Sequence, residues 1–252
     1  VVRNIELDRP GDYRSRLLNE GIAAATGQYL SFLDYDDAIY PETYSLLIRT
    51  LCDESVAIAF GRIVISVTEP GASYRQYTDR HDEWFVGRQT KQQLFAQNFC
   101  PIHSFVIDRT QIDPGDLFFA EEATRFEDYH FLLRIVARYP ASFTQMSKII
   151  GQYVIKLDGS NTVCVHPSGN AGQQSEWTKM EKWLESEKRK ITVTLSLHEL
   201  NQMLEFERNK NLAAEELSQL LQSKSWKLTA PLRWAKRQGE FWRAKALWWL
   251  RW

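Results

Sequence analysis

Tyr29-Leu30-Ser31-Phe32-Leu33-Asp34-Tyr35-Asp36-Asp37 decides how this chain is read. A short run of strand type leads straight into three carboxylates. Before it, Leu17, Leu18, Ile22 and Ala25 recur at helical spacing, and Gly27 supplies a C-terminal stop. After it, Pro41-Glu42 opens a second helix, with Pro at the first helical position and an acid in the first turn. Residues 1–7 alternate loosely as a strand, and Asp8-Arg9-Pro10-Gly11-Asp12 is turn chemistry. Strand, helix, strand, helix in this order predicts an α/β fold with a mostly parallel sheet and helices on both faces.

Three carboxylates at the exit of a buried strand repel one another unless a positive group joins them. Mg²⁺ or Mn²⁺ is a natural partner, because a hard divalent cation takes oxygen ligands from acids and from a substrate's phosphates. Ligands of α/β folds sit at the C-terminal edge of the strands, where this segment lies. An EF-hand does not fit, since Ala38 and Ile39 stand where a carboxylate and a turn Gly are needed. An acidic loop capping the helix at Pro41 accounts for the same residues without any metal.

Further strands are expected at 56–60, 63–67, 103–107 and 149–155, with helices at 91–97 and 127–138. Phe131, Leu132, Ile135 and Val136 form the buried stripe of the second of these helices. It is entered through Phe126-Glu127-Asp128-Tyr129. Two acids at a helix N-terminus are favoured by the helix dipole, so capping alone explains them. Between the acidic segments, Asn98 to Ile107 leads to Arg109 and contains His103 and Ser104. Lys156, Ser160, Asn161 and His166 follow the last expected strand, in a loop able to close over phosphates.

Taken together, Asn19-x-Gly21, Ala23-Ala24-Ala25-Thr26-Gly27, the strand into Asp34-x-Asp36-Asp37, and Tyr40-Pro41 resemble the core of family 2 glycosyltransferases. That resemblance implies a GT-A (Rossmann-like) fold. Ser225-Trp226-Lys227-Leu228-Thr229-Ala230-Pro231-Leu232-Arg233 resembles a motif at the C-termini of bacterial surface-polysaccharide glycosyltransferases, which implies surface-polysaccharide or lipopolysaccharide synthesis. The resemblance to the family 2 core implies that Asp36 and Asp37 hold the metal, Mn²⁺ or Mg²⁺, with Asp34, Asn19 and Arg16 in the donor site. The family commonly has Arg directly before the Asn. Here that position is Leu18, and Arg14 or Arg16 is the substitute. Glu127-Asp128 looks like the family's Glu-Asp pair, which makes Asp128 the base for the acceptor hydroxyl and Glu127 its neighbour. His103 and Ser104 resemble acceptor or phosphate contacts. The resemblance runs from about residue 5 to 161 and lacks the family's opening strand-helix-strand portion, on the order of 60 residues.

The remaining sequence changes character. Net charge of −1, 44% hydrophobic and 25% charged residues in a chain of 252 describe an ordinary globular protein and give no reason to expect nucleic acid as a partner. Cys52, Cys100 and Cys164 form no CxxC pair, which excludes a cysteine zinc site. Beyond a partial GT-A domain at 1–172, residues 173–223 lack Gly and Pro and predict a helical segment. It either packs on the domain or pairs through Val193, Leu197, Leu200 and Leu204 in a homodimeric coiled coil. Residues 224–252 interleave Trp234, Trp242, Trp248, Trp249 and Trp252 with Lys and Arg, a pattern that favours an interfacial helix on an anionic membrane surface over RNA binding or a buried Trp-rich helix. The implied protein is cytoplasmic and peripheral on the inner face of the plasma membrane, and no stretch is apolar enough to span it.

The expected reaction is inverting transfer of a sugar from a nucleotide-diphosphate donor to a hydroxyl of a glycan or lipid-linked acceptor. A metal-dependent phosphotransferase using Asp34 as nucleophile is one alternative. A non-catalytic, truncated membrane scaffold is another.

Overall fold

Along β3 (Ile58–Thr68) successive side chains leave the sheet on opposite faces, and the two faces enter two different cores. Ile58 and Phe60 join one core, and Ala59 and Ile63 join the other. The same alternation holds in β5 (Phe105–Asp108), where Phe105 and Ile107 face the first core and Val106 the second. The computed structural model describes residues 14–68, 78–79, 90–156 and 171–201, and scattered positions from 203 to 215. The expected strand at 1–7, the loop with Ser160, Asn161 and His166, and the tail at 224–252 lie outside the described residues.

Around β3 the strands run in the order β1 (Tyr29–Leu30), β5, β3, β6 (Ala141–Lys156), β2 (Ala38–Ile39), with β4 (Thr78–Asp79) also on β3. The α/β class holds, but the sheet is mixed rather than mostly parallel. Among the described residues only β3 and β6 pair in parallel; β1 with β5, β5 with β3, β4 with β3 and β2 with β6 are antiparallel. Alternating strands and helices suggested parallel crossovers, whereas β1, β2 and β4 are two-residue strands that close locally against a neighbour. The two strands expected at 56–60 and 63–67 are one, bent by register shifts at Gly61 and Arg62.

Helices do cover both faces. The second core lies under α2 (Thr43–Glu54), through Leu47 and Leu51. The first core is closed by α1 (Arg14–Ala24), α3 (Lys91–Ala96) and α4 (Glu127–Arg138). Thr90 and Gln93 start α3 with a reciprocal capping box. At the centre of the first core, Phe119 stacks on Phe131 at 4.4 Å and takes the edge of Phe32 at 5.2 Å. Such pairs add about 0.5–1.5 kcal/mol each beyond the area they bury. Phe32 lies two residues before Asp34 and Phe131 one turn after Glu127, so this cluster is a rigid floor joining both acidic segments.

A fifth helix, α5 (Ala171–Lys188), belongs with the sheet, in a unit running to Thr194. Leu184 is buried in the first core, with Trp183 against it. The helix stops at Lys188, and residues 191–196 are not helical, so Val193 lies outside any helix. In the second unit, from Leu195, residues 197–201 are helical. Among the described residues no helix is long and apolar enough to cross a membrane.

Candidate active site

The acidic segment leaves β1 through the buried Phe32 and turns at once, the Asp37 N–H donating to the Asp34 carbonyl at 3.2 Å. Strand β6 then holds the turn from the side. Its Val154 N–H donates to Asp37 Oδ1 at 2.9 Å, and its Ile150 carbonyl accepts from the Tyr40 N–H and the Thr43 hydroxyl at 2.8 and 2.6 Å. Gly151 makes this approach feasible: a Cβ there would lie 2.4 Å from the Ala38 carbonyl oxygen. The other oxygen of Asp37 lies 3.1 Å from His103 Nδ1 on the approach to β5, both side chains being sealed from solvent. His103 in turn stacks on Tyr153. Burial first, then the charge of Asp37, pushes the Tyr153 hydroxyl up to about 12.

The second acidic pair opens α4. Phe126 precedes it with φ of 63°, a left-handed conformation that costs a non-glycine residue about 1–3 kcal/mol. Glu127 is buried and Asp128 half-buried, with the Tyr129 N–H donating to Asp128 Oδ1 at 2.6 Å. Between the two acidic segments stands Arg14 of α1. Its Nη2 lies 2.8 Å from Asp34 Oδ2 and its Nε 3.0 Å from Glu127 Oε1.

This electrostatic arrangement leaves the carboxylates short of positive charge. Burial raises the Asp34 carboxyl, and Arg14 only partly offsets it. Burial and then the neighbouring Asp128 push Glu127 up to about 7. Asp128 is also raised, chiefly by burial, while Arg14 and the Tyr129 N–H pull the other way. Arg14 itself loses by burial and gains more from Glu127, Asp34 and Asp128, so it is held firmly protonated. A carboxylate with a raised pKa, kept available by one fixed cation, is the environment in which a general base works.

The structure thus brings Asp34, Asp36 and Asp37 to one side of Arg14 and Glu127 and Asp128 to the other. It does not bring Asn19 in: its side-chain oxygen accepts from the Phe119 N–H at 2.7 Å and its amide donates to the Phe119 carbonyl at 3.0 Å, pinning the loop before α4. Arg16 lies on the exposed side of α1. His103 and Ser104 are each about 1% exposed and present no surface to an acceptor. Of the two arginines weighed for the missing one, Arg14 is the one at the site. The signal was in the helical phase: Arg14 is four residues before Leu18, which packs on the core, whereas Arg16 is two before it.

Among the described residues no group of three or more His, Cys, Asp or Glu side chains forms a metal cage. A hard cation riding on a diphosphate needs less, one or two protein carboxylates being enough. The oxygen-only character of the turn fits such an ion at Asp36, with Asp34 beside it. Asp37 fits poorly, because the Val154 N–H and His103 engage both of its oxygens.

Among curated proteins no relative matches the chain. Solved structures resemble it remotely. S. aureus TarS 1–349 in complex with UDP is 13% identical with a TM-score of 0.44, over 72% of this chain and 46% of that one. The complex of TarS 1–349 with UDP-GlcNAc is 15% identical with a TM-score of 0.40, over 59% and 41%. The chain therefore spans less than half the length of these structures. The stretch that holds α1, the acidic turn and His103 is more specific: residues 4–112 match the family model described as Glycosyl transferase family 2.

Proposed function

We propose that the complete protein is an inverting glycosyltransferase that moves a sugar from a nucleotide-diphosphate donor to a hydroxyl. The observation that carries this reading is Arg14, which ties Asp34 to Glu127 and so places the acidic turn beside the acid pair at the start of α4. Asp128 takes the proton of the acceptor hydroxyl as that oxygen attacks the anomeric carbon. The glycosyl centre passes through an oxocarbenium-like state as the bond to the diphosphate breaks. Glu127 and Arg14 fix the position and charge of Asp128. Mn²⁺ or Mg²⁺ would be held by Asp36, with Asp34 close by and Asp37 anchoring the turn from behind, and would supply charge neutralisation for the diphosphate.

UDP and UDP-GlcNAc, present in the TarS structures, are the first donors to try. Calorimetry on the complete protein with a panel of nucleotides and nucleotide sugars, with Mn²⁺ and with EDTA, tests the reading. Metal-dependent binding of at least one is expected. No binding of any, or release of inorganic phosphate from a phosphoester, points instead to the scaffold or the phosphotransferase.

The acceptor class that we propose is a growing surface glycan or its lipid-linked precursor. Residues 224–252 would hold the enzyme on the inner face of the plasma membrane through Trp and cationic side chains. Pairing of two copies through Leu197, Leu200 and Leu204 is a further part of this proposal; all three are exposed.

A further inference from the structure

The α5 helix lies beyond the matched stretch of 4–112, yet one face of it grips the residues on either side of Glu127-Asp128. Trp177 stands edge-on to Phe126 at 5.1 Å, and the Arg125 guanidinium lies 5.8 Å from the Trp177 ring. Glu176 reaches Arg125 at 3.9 Å. One and a half turns on, Trp183 meets His130 at 4.9 Å, and Glu187 lies 4.0 Å from His130 Nε2. Lys188 lies 5.3 Å from the Tyr129 ring. Residues 125, 126, 129 and 130 are therefore all held from α5, and the two acids lie between them.

Phe126 is the position where this grip has most to do. Its left-handed backbone is unfavourable for a side chain with a Cβ, and such a conformation persists only where surrounding contacts fix it. Phe126 also begins α4, its carbonyl accepting from the His130 N–H at 2.8 Å. Rotation at Phe126 would swing Glu127 away from Arg14 and carry Asp128 with it.

We infer that Trp177 of α5 is a positioning residue for the acid pair, holding Phe126 in its left-handed conformation so that Glu127 and Asp128 keep their place beside Arg14. The inference rests on the proposed function for what the acids do, but not for the clamp itself. Trp177 is remote from the acidic turn in sequence, and its effect runs through Phe126. A small side chain at 177 leaves Phe126 without its edge contact and Arg125 without its aromatic face, while Leu184 and Trp183 keep α5 on the domain.

Two measurements on the complete protein test this, with W177A compared against W177F, which keeps an aromatic edge for Phe126. In the first, amide hydrogen exchange is followed across the domain, with thermal unfolding alongside. W177A should speed exchange in the peptide spanning 125–130 by about tenfold with little change in the β3 and β5 peptides, and W177F should restore it. Unchanged exchange at 125–130, or acceleration spread evenly over the domain, overturns the clamp. In the second, release of UDP from UDP-GlcNAc, or from whichever nucleotide sugar the binding panel selects, is measured at steady state. W177A should lower kcat by about tenfold to a hundredfold at unchanged KM for the donor, again with rescue in W177F. A loosened segment with normal kcat makes Trp177 a structural contact and overturns its positioning role. A wild-type protein that turns over no nucleotide sugar defeats the proposed function, and the exchange result still decides the clamp.

Discussion

Arg14 Nε lies 3.0 Å from Glu127 Oε1 while its Nη2 holds Asp34, so one guanidinium joins two acidic segments that are remote in sequence. Removing it leaves Asp34, Glu127 and Asp128 facing one another across a partly buried space. Arg14→Ala should destabilise the fold by about 1–3 kcal/mol, the pairs being partly exposed and so worth less than fully buried ones. The loss should be larger at pH 8 than at pH 5.5, because Glu127, pushed up to about 7, is protonated at the lower pH and needs the cation less. Urea unfolding at both values checks this; equal losses would mean that Arg14 contributes by packing alone.

Glu127 carries a distinct pH signature. Its folded pKa of about 7 stands above an ordinary value of 4.5, so between these limits the folded state binds more protons than the unfolded one. Stability must then fall as pH rises through this window, and the deficit is complete above about pH 7. Glu127→Gln removes this contribution. Relative to wild type it should gain on the order of 1–3 kcal/mol between pH 5 and pH 8. Parallel stability profiles for the two proteins would place the Glu127 pKa near its ordinary value, with Arg14 fully offsetting the burial of the carboxyl.

The adjacent Asp36 and Asp37 should respond differently to the same change. Asp37→Ala removes one partner of the Val154 N–H and of His103 and should cost about 2–4 kcal/mol of stability. Asp36→Ala should abolish the effect of Mn²⁺ on donor affinity. Calorimetry together with thermal unfolding separates them. Retained metal dependence in Asp36→Ala would move the cation elsewhere.

Much of this was legible in the sequence, and the exceptions have physical reasons. The helix at 127–138 matches α4 residue for residue, because its apolar stripe and its opening acids agree with each other. The helix expected at 91–97 matches α3 to within one residue, since Thr90 and Gln93 cap it locally. Strand direction was not legible: it depends on pairing partners, and the two-residue strands β1, β2 and β4 have too little sequence to declare any. Asp34, Glu127 and Asp128 stand out in the sequence as candidates because acids grouped at strand and helix ends are chemically conspicuous, and the structure gathers them around Arg14. Asn19 was assigned to the donor, yet an Asn amide bonds equally well to backbone, and nothing in the sequence points to Phe119. The grip of α5 on Phe126 was equally hidden, since the long Gly-free stretch that contains Trp177 gives no register relative to α4.

The membrane proposal for 224–252 has a direct check in sedimentation with lipid vesicles. The complete protein should sediment with vesicles containing anionic lipid at low salt and be released as salt is raised past about 0.15 M. A truncation before Lys224 should stay in solution with the domain folded. Binding that ignores lipid charge, or that survives truncation, would remove the anchor.

The central claim is that Asp128, held beside Glu127 and Arg14, takes the acceptor proton. Asp128→Asn keeps the size of the side chain and its capacity to accept the Tyr129 N–H while removing its basicity. With the complete protein and the donor selected by calorimetry, steady-state turnover and donor affinity should be measured on the same preparation. The account predicts a fall in kcat of roughly 10²–10⁴ with donor binding and its metal dependence unchanged. Near-normal turnover in Asp128→Asn would contradict it, and Glu127 would then be the first residue to test as the base.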